Sequence, residues 1–252
     1  MGLRLSFKII FSPSKEMRNE NILKNSENVF EDIIFEKKTL EILEKLKTYS
    51  ENEISKIMKI KNSLLRNTFK NIQNYERLDS MPAISLYNGV AFKELDISNY
   101  TKEEFDFIED NLFILSAFYG ISKPFSFIKN YRLDMPMKVF DKSFYEFWKD
   151  EINSYIAMNL KENQYIINLA SLEYSKLIDK KKINNIINID FKEFRNNSYS
   201  SISSYSKQAR GKFLNIIVKN KIENIEDLKN ISFDAYKLNR ELSNEKNLIF
   251  TR

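Results

Sequence analysis

Apolar and polar positions change their period several times along the 252 residues, and those changes divide the chain into elements. The run LSFKIIF, residues 5–11, is dense in apolar and β-branched side chains and stops at Ser12 and Pro13, which predicts a strand followed by a turn or the start of a helix at 14–17. FEKKTLEILEKLKTY and ENEISKIMKIKNSLLRNTFKNIQNY repeat their apolar residues at helical spacing and predict paired helices, a helical subregion at about 36–76. In MPAISLYNGVAF, Pro82 breaks the chain, a short extended run follows, and Asn88 with Gly89 predicts a turn. Thr101 and Glu104 make a capping-box pattern ahead of Phe105, Ile108, Leu112, Leu115 and Tyr119, a helix that Gly120 would close in the left-handed conformation.

Farther along, Lys123 and Pro124 open a loop that leads into YRLDM, and Asp141 is placed to cap an aromatic helix through Tyr145, Trp148 and Tyr155. YIINLA reads as a buried strand ending at Ser171, a helix begins near Lys207, and NLIFTR is a last short strand. Strands recur with helices between them, without internal repeats or a low-complexity linker, so the prediction is one α+β domain, 1–252, built on a compact mixed sheet.

Composition narrows the chemistry. With 42% hydrophobic and 30% charged residues the chain is an ordinary globular one. It contains no cysteine and no histidine, which excludes disulfides, thiolate nucleophiles, serine–histidine triads and the usual zinc ligands. No compact acidic motif suggests magnesium, and neither a metal nor a cofactor is predicted. The lack of cysteine fits the cytoplasm, and no run of about eighteen apolar residues suggests a membrane span. Gly2 sits in a formal myristoylation-like pattern, M-G-x-x-x-S, that is not read as an anchor. The net charge is +5, but between Asn196 and Ile222 five basic residues stand without an acid, which predicts a local positive patch.

Three segments carry candidate chemistry. In YRLDM, Arg132 and Asp134 share one face of an extended segment: either Arg132 positions an anion while Asp134 orients it or accepts its proton, or the two make a structural ion pair. In NLASLEY, Ser171 and Glu173 follow a strand, where they either face a cleft or cap and charge-match a helix. The same position after the first strand is held by Ser12, Ser14 and Lys15; Lys15 suits a phosphate, although SPSK lacks the glycines of a P-loop. In SKQARGKFL, Ala209, Phe213, Ile216 and Ile217 form the predicted buried stripe, with Lys207 and Arg210 on its flank in the first turns of the helix. Gly211 falls on the polar side, so it admits either a close crossing segment or a ligand against the backbone. Gly89 and Gly120 are read as structural, permitting a turn and a cap.

Taken together, SPSK, YNG, LSAFYGISKPF, YRLDM, FYEFWKD, NLASLEYSKLI and YSKQARG resemble, in content and order, the YaaA family of bacterial peroxide-stress proteins. The resemblance implies a cytoplasmic protein that limits oxidative damage to DNA and lowers available iron; a monomer is favoured, with no feature of the sequence setting the oligomeric state. It also implies a mixed sheet-and-helix fold around a positively charged cleft, a helix-hairpin-helix element, and affinity for double-stranded or branched DNA. By motif matching, Lys15, Tyr87, Arg132, Asp134, Glu173, Lys207 and Arg210 would line or support that cleft, with Asp134, Glu173 and Tyr87 as candidate catalytic groups and the cations, together with Arg66, as anion or DNA contacts. The chain departs from the family pattern where Ser85 and Leu86 replace a glycine and an aspartate before Tyr87, and where the turn glycine expected in the helical hairpin is replaced around Arg66. Two functions follow as expectations: a DNA-associated stress protein whose affinity falls with salt, or an enzyme acting on a small anionic or phosphate-containing substrate. A scaffold whose unusual residues are all architectural is the third.

Overall fold

A computed structural model of the chain describes residues 6–23 and 32–252. Gly2 lies outside the described residues. The chain begins with strand β1 (Phe7–Phe11), then helices α1 (Glu36–Lys47), α2 (Glu51–Met58) and α3 (Asn62–Gln73), strand β2 (Ser80–Pro82), and short helices α4 (Ala83–Leu86) and α5 (Val90–Lys93). Helix α6 (Lys102–Asn111) leads directly into β3 (Leu112–Ser116), β4 (Gly120–Ser122) and β5 (Phe127–Lys129), followed by α7 (Phe144–Met158), β6 (Tyr165–Asn168) and α8 (Leu172–Ser175). The rest is β7 (Ile186–Arg195), β8 (Ser198–Ser200), α9 (Ser203–Lys219), α10 (Ile225–Leu228), β9 (Lys237–Leu238) and β10 (Asn247–Thr251).

The main sheet runs β4-β3-β1-β6-β7-β10-β9, with β8 added to β7. Its interior is parallel: β1 pairs with β3 and β6, β6 with β7, and β7 with β10. Antiparallel strands complete it at β4, β8 and β9, while β2 and β5 form a separate two-stranded ribbon. This is an α/β arrangement on a mostly parallel sheet, and it corrects the α+β expectation. The strands β1, β3 and β6 are mostly apolar and buried because helices cover the sheet, with Lys8 and Tyr165 their half-exposed positions.

Strand order places the site. From β1 the chain moves to β3 on one side, then returns to lay β6 on the other, so the direction of winding reverses between β1 and β6. Loops leaving the carboxyl ends of two strands at such a reversal diverge and leave a crevice between them.

Several elements differ from their sequence patterns. The helix capped by Thr101 and Glu104 has its capping box but ends at Asn111, and Leu112 and Leu115 belong to a strand. Gly120 is left-handed, φ +72°, but it turns the β3–β4 hairpin and does not cap a helix. The segment after Pro82 is helical, α4, where an extended run was expected. The N-cap of α7 is Ser143, bonded reciprocally with Glu146, and not Asp141. The turn between α2 and α3 lies at residues 59–61, with Lys59 and Asn62 left-handed in place of glycine. Arg66 is therefore exposed in the middle of α3 and away from the turn.

Candidate functional site

Immediately past β1, Ser12 is tied to the residue that follows β6 by the Ser171 N–H donating to its Oγ at 2.8 Å, and Ser12 Oγ donates in turn to Ser171 Oγ at 3.1 Å. The loop then zips onto the chain around Tyr87: Asn88 N–H donates to the Glu16 carbonyl at 2.8 Å and Arg18 N–H to the Leu86 carbonyl at 2.8 Å. Arg18 also donates to the Ser85 and Tyr87 carbonyls at 2.8 and 2.9 Å. Ser85 is fully buried and accepts the Ile22 N–H at 2.9 Å, so its hydroxyl serves this junction. Gly89 is favoured here by proximity and not by turn geometry, since a Cβ would stand 2.3 Å from Ser14 Oγ.

Beyond the ends of β1 and β6 lies a cleft of about 590 Å³. It is lined by Lys15, Arg132, Asp134, Glu173, Lys207 and Arg210, six of the residues singled out by motif. Glu16 also lines it, so four cations face three carboxylates and the lining is mixed in sign, where a basic one was expected. Tyr87 is not part of the lining. It is fully buried, its hydroxyl 2.9 Å from that of Tyr131, which does reach the cleft and also accepts from Ser116 Oγ at 2.8 Å. Burial pushes the Tyr131 hydroxyl up to about 12, so it remains a neutral hydrogen-bonding group. Arg66 is not in the lining either.

The YRLDM segment keeps its alternation, with Leu133 and Met135 buried and Arg132 and Asp134 facing the cleft, but the two polar side chains do not pair. Asp134 binds Lys15 instead, Oδ2 to Nζ at 2.6 Å, and Arg132 makes no ion pair among the described residues. Glu173 accepts the Met135 N–H at 3.3 Å, and the Tyr145 hydroxyl holds the Glu173 carbonyl at 2.8 Å. Burial, then the neighbouring Asp134, raises the Glu173 carboxyl above its ordinary range, while Lys15 and Lys207 pull the other way. Two carboxylates in unlike settings result: Asp134 with a cation at hydrogen-bond distance, and Glu173 biased toward holding a proton. Among the described residues, no three acidic groups come together in a way that could hold a metal ion.

Helix α9 begins at Ser203, earlier than its pattern suggested, so Lys207 and Arg210 stand in its second and third turns and not beside its free N–H groups. Ser203, Lys207 and Arg210 follow at four- and three-residue steps along one helical face, which forms a wall of the cleft. The Arg210 guanidinium lies 3.9 Å from Asp190, its buried Nε has no partner among the described residues, and burial lowers its pKa. Lys207 makes no ion pair among the described residues. The local positive patch expected from 196–222 is largely neutralised: Lys212 binds Asp234 at 2.5 Å and Lys219 binds Glu104 at 3.3 Å.

Gly211 is buried, and the segment it admits is α5: a Cβ would lie 2.1 Å from the Ala91 carbonyl oxygen. What looked like the polar side of α9 is a second buried face, on which Asn215 accepts the Asp96 N–H at 3.0 Å and the Tyr100 hydroxyl at 2.7 Å. Sequence reasoning missed Asp190 because IINIDFKEF was not assigned to an element. Its alternation of buried and half-buried positions in β7 is the signal that would have found it.

A family model described as "Peroxide stress protein YaaA" matches residues 7–242. A UPF0246 protein of Fusobacterium nucleatum subsp. nucleatum is 52% identical over 245 residues, covering 97% of this chain and 98% of its own. UPF0246 proteins of Malacoplasma penetrans and Francisella philomiragia are 39% and 35% identical, each aligned over 97% of this chain and 99% of theirs.

Proposed function

Because the chain belongs to the peroxide stress protein YaaA family, we propose that it serves the oxidative stress response by binding and acting on a small anionic, phosphate-containing ligand in the cleft beyond β1 and β6. The observation that carries this is the convergence of Lys15, Arg132, Asp134, Glu173, Lys207 and Arg210, from four segments far apart in sequence, on one space of about 590 Å³. Volumes of roughly 300–1,000 Å³ suit small molecules, not a duplex.

The chemistry follows from the pairing. Arg132 and Lys207, which carry no partner carboxylate among the described residues, are the cations free to receive an anion. Asp134, held by Lys15, orients the ligand; Glu173 transfers a proton to or from it; Tyr131 donates a hydrogen bond. Less DNA damage and less available iron are the cellular outcomes of this action. In cells lacking their own copy, Arg132→Ala and Glu173→Gln proteins, expressed at wild-type levels, are expected to lose protection against hydrogen peroxide. Full protection by both variants overturns the reading.

DNA binding is the second reading, favoured by one observation. From Lys59 to Gln73 the α2–α3 turn and α3 carry Lys61, Arg66 and Lys70, all exposed, and no acidic residue. That face is separate from the cleft lining and suits duplex or branched DNA through backbone phosphates.

A further inference from the structure

The cations of the cleft account for an anionic group but leave its size and its lips unexplained. An inorganic phosphate fills only a small part of about 590 Å³. Two of the large hydrophobic side chains most exposed among the described residues stand on this one cleft: Val90, 44% exposed, and Leu172, 70% exposed. Each is the first residue of a short helix, α5 and α8, a position where nothing in helix formation calls for an apolar side chain. Single exposed hydrophobes are ordinary, but two on one charged-rimmed concavity, above the apolar side chains of Phe11, Phe92 and Leu169, form a surface that lacks its complement.

The free cations indicate where the charge goes. Lys15 is satisfied by Asp134, and Glu16 by Lys93 at 2.7 Å, which leaves Arg132 and Lys207 for the anion. We propose that the ligand is a phosphate joined to an apolar body, its phosphate held by Arg132 and Lys207 and its body lying between Val90 and Leu172. The proposal rests on the anion-binding reading above and names the class of molecule bound. Covering the two lips removes their apolar surface from water, so affinity rises with the body and not only with the charge.

The test is calorimetric titration of the full chain with inorganic phosphate, adenosine monophosphate and hexyl phosphate. The wild-type protein is expected to bind at least one organic phosphate about tenfold or more tighter than inorganic phosphate. Leu172→Ser and Val90→Ser, both at exposed positions, should each erase about fivefold of that gain and leave inorganic phosphate unchanged, whereas Lys207→Ala weakens all three. Preference for adenosine monophosphate assigns the body to a nucleoside and preference for hexyl phosphate to an acyl-type chain, and either supports the proposal. Equal affinity for all three phosphates overturns the apolar body while the anion reading stands. Binding of none of them, or binding indifferent to Lys207→Ala, overturns the anion reading itself.

Discussion

Glu173 is where a single side chain carries the most consequence. Its raised carboxyl pKa, caused first by burial and then by Asp134, means the folded state holds its proton more tightly than the unfolded chain does. Lys15, Lys207, Tyr145 and Tyr174 complete its surroundings, and the two lysines do not reverse the shift. Stability from this group is therefore fully present below the ordinary glutamate range and is lost as pH rises through the raised folded value. Glu173→Gln removes that loss. Thermal melts of the two proteins from about pH 4 to pH 7 should show the variant gaining on the wild type as pH rises, and a constant difference would refute the assignment. Neighbouring side chains teach the limit of reading residues one at a time. Asp134 was legible as a functional carboxylate from its alternation in YRLDM, but its partner was not, because Lys15 comes from a loop distant in sequence that only the folded chain brings near.

Among elements, the pair α5 and α9 decides the shape of the site. Gly211 lets the two backbones meet, so Gly211→Ala trades about 1 kcal/mol of better helix propensity against an overlap with the Ala91 carbonyl oxygen, 2.1 Å from the new methyl. Backbone cannot swing aside as a side chain can. Overpacking of this kind costs about 1–3 kcal/mol, so urea denaturation should show a net loss, in contrast to the gain expected at an exposed helical glycine. The periodicity of α9 misled because a helix buried on two faces looks like one buried on a single stripe when the second face uses polar residues. Lys212, Asn215 and Lys219 are all paired there. A similar ambiguity hid β3: LFIL is apolar throughout and, with Ser116 alone before AFY, supplies no alternation to distinguish a strand from the continuation of α6. Where polar residues bracket a short apolar run, as at β1, β6 and β10, the strand was plain.

For the whole molecule, a net charge of +5 says little about partners, because the cations of 196–222 are mostly matched by acids from elsewhere in the fold. Cations without an ion pair among the described residues include Arg132 and Lys207 in the cleft and Lys61, Arg66 and Lys70 on the exposed face of α3. Each neutralised phosphate contributes about 0.9 to the slope of log affinity against log salt. The Lys61→Ala, Arg66→Ala, Lys70→Ala triple variant should then flatten that slope for duplex DNA by about 2–3, with Lys207→Ala without effect. The opposite pattern locates duplex DNA in the cleft, and no change in either removes the DNA reading. At this scale the site was legible in advance to the extent that its segments follow strand ends. The reversal of winding between β1 and β6 was not legible, since strand order is not written in local periodicity.

The bare contact between Gly211 and Ala91 also bears on how sharply the cleft discriminates. Val90 precedes Ala91 in α5, Lys207 and Arg210 stand about one turn or less from Gly211 in α9, and all three line the cleft. Because backbone meets backbone there, the spacing of the two elements that carry the lip and the cations does not depend on side chains that fluctuate from one rotamer to the next. It works as a fixed gauge, so ligands should be sorted by the length between their charged and apolar ends more than by either end alone.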